Sequence, residues 1–201
     1  MAVGAFWATP IYFNDAGEKL DAIQGEIKTF YEHATETKMF ARPTQFGSTS
    51  HSITDFKHNM LMENDMEHTR EFILESALDY IRGINGPEFE IPWELKFSSS
   101  WLTETLKGEH AIPHTHTIHG DDISGAYYYK TNGNDGALTL INPSPIIDAT
   151  KFINSPWSVV KCPPGEGRII LFPSWVAHFV EENQTDHNRI SLSFNIKLID
   201  K

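Results

Sequence analysis

Three histidines and an arginine are placed where they could do chemistry together. His114 and His116 flank a single threonine, His178 follows Phe172-Pro173-Ser174-Trp175-Val176-Ala177, and Arg189-Ile190-Ser191 comes eleven residues later. Side chains two apart on an extended segment point the same way, so His114 and His116 can share one metal ion. Neutral imidazole suits iron, zinc and copper. His178 supplies a third, distant ligand if a later strand is brought alongside. Iron(II) oxygenases of the two-histidine, one-carboxylate kind hold the metal on one face and leave three positions open for a chelating cosubstrate and dioxygen. An arginine away from water grips a carboxylate through two parallel hydrogen bonds, and the hydroxyl of Ser191, on the same strand face, can add a third.

The histidine count tempers any one assignment. The chain has 10 histidines, and His110, His114, His116 and His119 fall in one short stretch. His119-Gly120-Asp121 is a literal His-x-Asp, so Asp121 or Asp122 is an alternative ligand that would leave His114 or His116 supporting the others. We prefer His114 and His116, because His119 and Asp121 lie so near the strand at Tyr127-Tyr128 that little room is left for a connection.

The surrounding elements must position these groups. Leu20, Ile23, Ile27, Phe30, Tyr31 and Ala34 recur at helical spacing, with Asp15 and Glu18 as a capping box before them. A second helix is expected from Asn64, with Glu67 at its third position and Met66, Ile73, Ala77, Ile81 and Ile84 as its stripe; Gly83 and Gly86-Pro87 would end it. The polar stretch Arg42–Asn59 between the helices reads as a loop, and long loops are often lids.

From about Trp93 the pattern is β. Strands are expected over Lys96–Leu106, Ile123–Lys130, Gly136–Ile141, Ser158–Lys161, Arg168–Phe172, His178–Glu181 and Arg189–Leu198, separated by Asn-, Gly- and Pro-rich turns. Two helices followed by some seven strands give an α+β class, mainly β, of sandwich or jelly-roll type, with the N-terminal helices packed on one sheet. In the last strand Arg189, Ser191, Ser193 and Asn195 alternate with Ile190, Leu192, Phe194 and Ile196. Its apolar face should meet the helices, and its polar face should either line a pocket or stand in water. Trp101, Trp157 and Trp175 are expected in the core or pocket wall. Asn195 is a candidate substrate contact.

Composition bounds the partners. The 201 residues carry a net charge of −11, with 40% hydrophobic and 12% aromatic residues. That is a globular chain long enough for one domain, 1–201, with helical support over about 1–92 and a β core over about 93–201. The acidic balance disfavours phosphate backbones and anionic membranes. No run reaches the roughly 20 apolar residues of a membrane span, and the N-terminus has no basic leader. A single cysteine, Cys162, excludes an internal disulfide and fits a reducing, cytoplasmic setting. A homodimer is the default oligomer.

From about Ser100 onward the chain resembles the 2-oxoglutarate- and iron(II)-dependent oxygenases encoded in phage and marine bacterial genomes, distantly like prolyl hydroxylases. Pro113-His114-Thr115-His116, Ser124-Gly125-Ala126-Tyr127-Tyr128, Gly136–Pro143, Phe172-Pro173-Ser174-Trp175 with His178, and Arg189–Ile196 carry the likeness. The resemblance implies a double-stranded β-helix with Fe(II) bound by His114, His116 and His178. It also implies 2-oxoglutarate held by Arg189 and Ser191, with Tyr128 as a further contact. The implied activity is hydroxylation of an unidentified protein or small-molecule substrate, with O2 as cosubstrate and release of succinate and CO2. One departure stands out: the wider superfamily has an acidic residue where this chain has His116. Two other readings stay open. One is a three-histidine cupin-type metalloprotein without 2-oxoglutarate, which Arg189-x-Ser191 argues against. The other is a jelly-roll binding module without catalysis.

Overall fold

The computed structural model describes residues 9–37, 51–52, 59–117, 120–143 and 159–201. Its elements run in chain order. Strand β1 is Tyr12–Asp15; a 3-10 turn, Gly17–Lys19, leads into helix α1, Leu20–Glu36. Strand β2 is His51–Ser52, and helices α2 and α3 are Met60–Glu63 and Glu67–Asn85. Then come β3, Trp93–Thr105; β4, Ala111–His114; β5, Ile123–Lys130; and β6, Leu138–Ile141. The last four are β7, Val159–Cys162; β8, Arg168–Pro173; β9, His178–Val180; and β10, Arg189–Asp200.

The strands form two antiparallel sheets. A major sheet has the order β1-β8-β5-β10-β3-β2, and a minor sheet has the order β4-β9-β6-β7. One apolar layer joins the helices to the major sheet: Ile23, Ile27, Ile73 and Ala77 pack with Leu102, Tyr127, Leu171, Leu192, Phe194 and Ile196. A second, smaller layer fills the space between the sheets with Tyr128, Leu138, Leu140, Cys162, Ile170, Phe172 and Val176. This is the mainly β architecture expected, with the N-terminal helices covering one face.

The alternation of β10 decides which face is interior. Ile190, Leu192, Phe194 and Ile196 join the helical layer, while Arg189, Ser191 and Asn195 face the other way and are also buried. The polar row is therefore not a wet surface but the floor of the space between the sheets. Register extends this floor sideways: Ser191 lies opposite Tyr128 and Thr103, and Asn195 opposite Ser124 and Ser99. Gly125 in β5 has a packing reason. A Cβ there would come within 2.7 Å of Leu171 and against the ring of Phe194, so only glycine lets that ring fill the layer beneath α1 and α3.

Helix starts differ from the expected ones. Asp15 makes no cap; it closes β1 and its carboxylate accepts from Arg168 Nε at 3.1 Å. The helix following Asn64 does not begin there. Asn64 ends α2, its side chain donating to the Met60 carbonyl, and α3 begins at Glu67 without a local side-chain cap. The cap comes from α1 instead: the Glu26 carboxylate accepts from the amides of His68 and Thr69 at 2.9 Å each and from the Thr69 hydroxyl at 2.6 Å. A carboxylate at a helix N-terminus meets both the orphan amides and the positive end of the dipole. At the other end Gly83 stays helical, and Gly86, at φ +105°, stops the helix. Trp101 is half-buried; Trp175, at 48% exposed, is on the surface rather than in the core. Trp157, His119 and most of the Arg42–Asn59 stretch lie outside the described residues.

Candidate active site

Strand β4 is an element that the sequence pattern did not reveal, and it carries the first histidine. Pairing of β4 with β9 sets His114 directly opposite His178. Their ring centroids are 4.3 Å apart, and the His116 ring is 5.1 Å from each. One ligand-type nitrogen from each of the three residues lies within 4.8 Å of the others. His116 is past the end of the strand, in the following turn, where its amide donates to the Ser174 carbonyl at 3.1 Å and its ring lies 5.9 Å from that of Trp101.

Two of the rings are oriented by carbonyls two residues upstream. His114 Nδ1 is 2.8 Å from the Ile112 carbonyl, and His178 Nδ1 is 2.9 Å from that of Val176. A carbonyl only accepts, so each Nδ1 carries the hydrogen and each Nε2 presents a lone pair. Burial pushes the His178 imidazole down to about 3, and the neighbouring His114 and His116 add to the shift. His178 is therefore neutral across the physiological range, the form in which imidazole binds metal.

Neither aspartate of the alternative assignment belongs to this cluster. Asp121 accepts from the Ser98 hydroxyl at 2.6 Å, and Asp122 accepts from the Leu198 amide at 2.8 Å. Both carboxylates tie the loop before β5 to the flanking strands.

Arg189 lies on the interior floor, 2% exposed. Its Nη1 donates to the carbonyls of Gly136 at 2.5 Å and Asp135 at 3.2 Å, and its Nη2 to the Thr105 hydroxyl at 2.9 Å. Nε is buried and has no hydrogen-bond partner. Among the described residues no carboxylate forms an ion pair with the guanidinium. Burial lowers its pKa, while Tyr128 and Asp135 nearby oppose that shift; an arginine stays protonated in any case. Tyr128, beside it, has its phenol pushed up to about 12, chiefly by burial, and so remains a neutral hydroxyl.

A buried cation without a matching anion is costly to the fold. The orphan Nε and the neighbouring hydroxyls of Ser191 and Tyr128 fit a guest carboxylate. Thr105, Asp135 and Gly136 were not singled out from the sequence. The only signal for them was Gly136 in an Asn-Gly-rich turn: at φ +97°, a Cβ there would run into the Glu181 carbonyl and come within 3.2 Å of Arg189 Nη1.

Comparison with known proteins finds likenesses of family and of fold. Residues 99–195 match the family model described as "Putative 2OG-Fe(II) oxygenase". A prolyl-4-hydroxylase from Pseudomonas putida superposes with a TM-score of 0.61 at 12% identity, covering 94% of this chain and 93% of its own. A prolyl hydroxylase from Trichoplax adhaerens, solved with a peptide of hypoxia inducible factor, gives 0.60 at 14% identity over 94% and 84%. The alpha-ketoglutarate-dependent carbocyclase SnoK of nogalamycin biosynthesis gives 0.63 at 12% over 95% and 80%. At such identities these are likenesses of fold, the double-stranded β-helix. No curated protein matches the sequence. The matched stretch, just under half of the chain, builds most of both sheets and the whole histidine cluster and is similar to a 2-oxoglutarate- and iron(II)-dependent oxygenase domain.

Proposed function

We propose that His114, His116 and His178 bind the iron, that Arg189, Ser191 and Tyr128 hold the distal carboxylate of 2-oxoglutarate, and that the enzyme hydroxylates a C–H bond of its substrate. The observation that carries this reading is the convergence of three imidazole nitrogens within 4.8 Å of one another in the barrel whose interior floor holds the buried Arg189. Bound iron and 2-oxoglutarate supply the oxidising chemistry, with the cosubstrate leaving as succinate and CO2. The chain's own residues supply place and charge. The Ile112 and Val176 carbonyls fix two imidazoles with Nε2 facing inward. The carbonyls of Asp135 and Gly136 with the Thr105 hydroxyl hold one edge of the Arg189 guanidinium and leave Nε for the incoming carboxylate. Phe172, whose ring is 4.8 Å from that of His178, and Leu140 exclude water from the floor between.

A third imidazole in place of a carboxylate makes the bound centre one unit more positive. That strengthens the hold on an anionic chelating cosubstrate. The helical and β parts share one apolar layer, which supports reading 1–201 as one domain. Among the described residues no helix is long and apolar enough to cross a membrane. A cytoplasmic enzyme working as a homodimer, without nucleic acid or membrane, is the matching cellular reading, and the substrate is a protein side chain or a small molecule.

The test is an anaerobic thermal-shift titration with manganese(II), with and without 2-oxoglutarate. Ligands that bind only the folded state raise its stability by mass action. A shift with metal that grows on adding 2-oxoglutarate is expected, followed by succinate formation that requires iron and O2. Absence of any shift with millimolar metal and cosubstrate would sink the reading.

A further inference from the structure

Behind the histidines lies a buried chain of polar side chains that touches no titratable group of the site. Ser174 is fully buried, and Ser124 and Asn195 are each 2% exposed. The Ser124 hydroxyl is 2.7 Å from Asn195 Oδ1 and 2.8 Å from the Ser174 hydroxyl. Asn195 Oδ1 can only accept, so the single Ser124 proton goes there and Ser174 donates to Ser124. Asn195 Nδ2 completes the chain by donating to the Ser99 hydroxyl at 2.9 Å. Four residues from β3, β5, β10 and the turn after β8 are thus joined in one line across the sheet.

That line ends at the turn Pro173–Val176, which serves two of the three histidines. The Ser174 carbonyl accepts from the His116 amide at 3.1 Å, and the Val176 carbonyl orients the His178 ring. The turn is itself pinned by Ser174 N donating to the Asp122 carbonyl and by Val176 N donating to that of Pro173. His116 lies past the end of its strand, and the Ser174 carbonyl of this turn is one of the supports it has from across the site.

We infer that Asn195 and Ser124 are positioning residues for the metal centre: through Ser174 they set where His116 and His178 stand relative to His114. This rests on the three-histidine reading of the site. Asn195 Oδ1 and one hydrogen of its Nδ2 are thus engaged by protein partners.

Cobalt(II) binding tests this, because cobalt reports affinity and ligand geometry in one titration without turnover. Metal-free wild type, Asn195→Ala, Ser124→Ala, His116→Ala and Ile169→Val are titrated anaerobically, with thermal midpoints measured alongside. Ile169 is buried in the helix-facing layer and touches none of this network. Ser124→Ala removes a single hydroxyl, so it tests the idea even if Asn195→Ala folds poorly. Loss of a supporting contact behind a metal ligand weakens binding about 10- to 100-fold. That weakening, with displaced cobalt absorption bands, is expected for Asn195→Ala and Ser124→Ala but not for Ile169→Val. Wild-type affinity and spectrum in both network variants would overturn the inference while leaving the three-histidine site intact. A wild-type affinity and spectrum in His116→Ala would instead overturn that site, and the inference with it.

Discussion

The two ends of the barrel interior are held in different ways. At the histidine end, His114 and His178 are oriented by carbonyls two residues upstream, so each ring is turned by its own stretch of chain. At the other end, Arg189 is held by groups 53, 54 and 84 residues away in sequence. Ring orientation at one end is a local matter, whereas the guanidinium at the other is placed by tertiary assembly alone. The difference teaches that a candidate ligand set can be read from spacing, whereas the surroundings of a buried arginine are a property of the closed barrel.

The largest effect should come from breaking the histidine end. His178→Ala removes the buried imidazole that stands directly opposite His114. Metal-dependent succinate formation should fall by at least about 1,000-fold, which is about 4 kcal/mol of barrier, and the manganese-induced thermal shift should vanish. Retention of the shift would mean that the local end is not where metal binds.

The next effect separates the two ends. Arg189→Ala should raise the 2-oxoglutarate concentration needed for half-saturation by about 100-fold, about 2.7 kcal/mol, within the range for truncating a buried charge partner. Manganese affinity measured without cosubstrate should stay within about 2-fold, an energetically minor change. Arg189→Lys should not rescue, because an ammonium cannot keep the forked contacts to Gly136 and Thr105 while offering a donor at Nε. A fall in metal affinity of the same size would show that the ends are coupled and erase the contrast.

What was legible in the sequence follows the same division. The strands β5, β8 and β10 were visible from alternation and turn residues, and the histidines from spacing. Strand β4 was not, because Ala111-Ile112-Pro113-His114 is four residues long, has no alternation and contains a proline. The burial of the polar row on β10 could not be separated from a wet face until a second sheet covered it. Thr105 and Asp135 carry no motif; each becomes part of the site only because β3, β10 and the Thr131–Gly136 turn meet. The helix starts failed for a related reason. Asp15 and Asn64 have the right types for caps, yet long-range pairing takes Asp15 into β1 and gives α3 its cap from Glu26.

A smaller effect acts on the Arg189 end through the backbone. Gly136→Ala places a Cβ against the Glu181 carbonyl and near Arg189 Nη1, in a left-handed conformation costing about 1–3 kcal/mol for other residues. The expected outcome is a lower thermal midpoint and about 10-fold weaker 2-oxoglutarate binding, about 1.4 kcal/mol, with manganese affinity preserved. Calorimetric titration of 2-oxoglutarate into the manganese-loaded variant checks it. Unchanged binding would mean that Arg189 finds its position without this turn.

The last effect, on stability and not on binding, probes the apolar layer that runs from Phe172, against His178, to Tyr128, beside Arg189. Cys162 is in this layer, fully buried, and burial pushes its thiol from the ordinary 9.0 up to about 11. The folded state therefore favours the protonated thiol. Its contribution is complete below about pH 9 and is lost as pH rises through about 11, a span worth about 3 kcal/mol at 1.36 kcal/mol per unit. Tyrosines with raised pKa add their own alkaline loss, so the measurement is a difference. Urea unfolding of wild type and Cys162→Ala is compared from pH 7 to pH 11. The stability gap between them should stay constant to about pH 9 and then shift in favour of the variant. A gap that is flat across the whole range would mean that water reaches the thiol, and that the two ends are not separated by a dry layer.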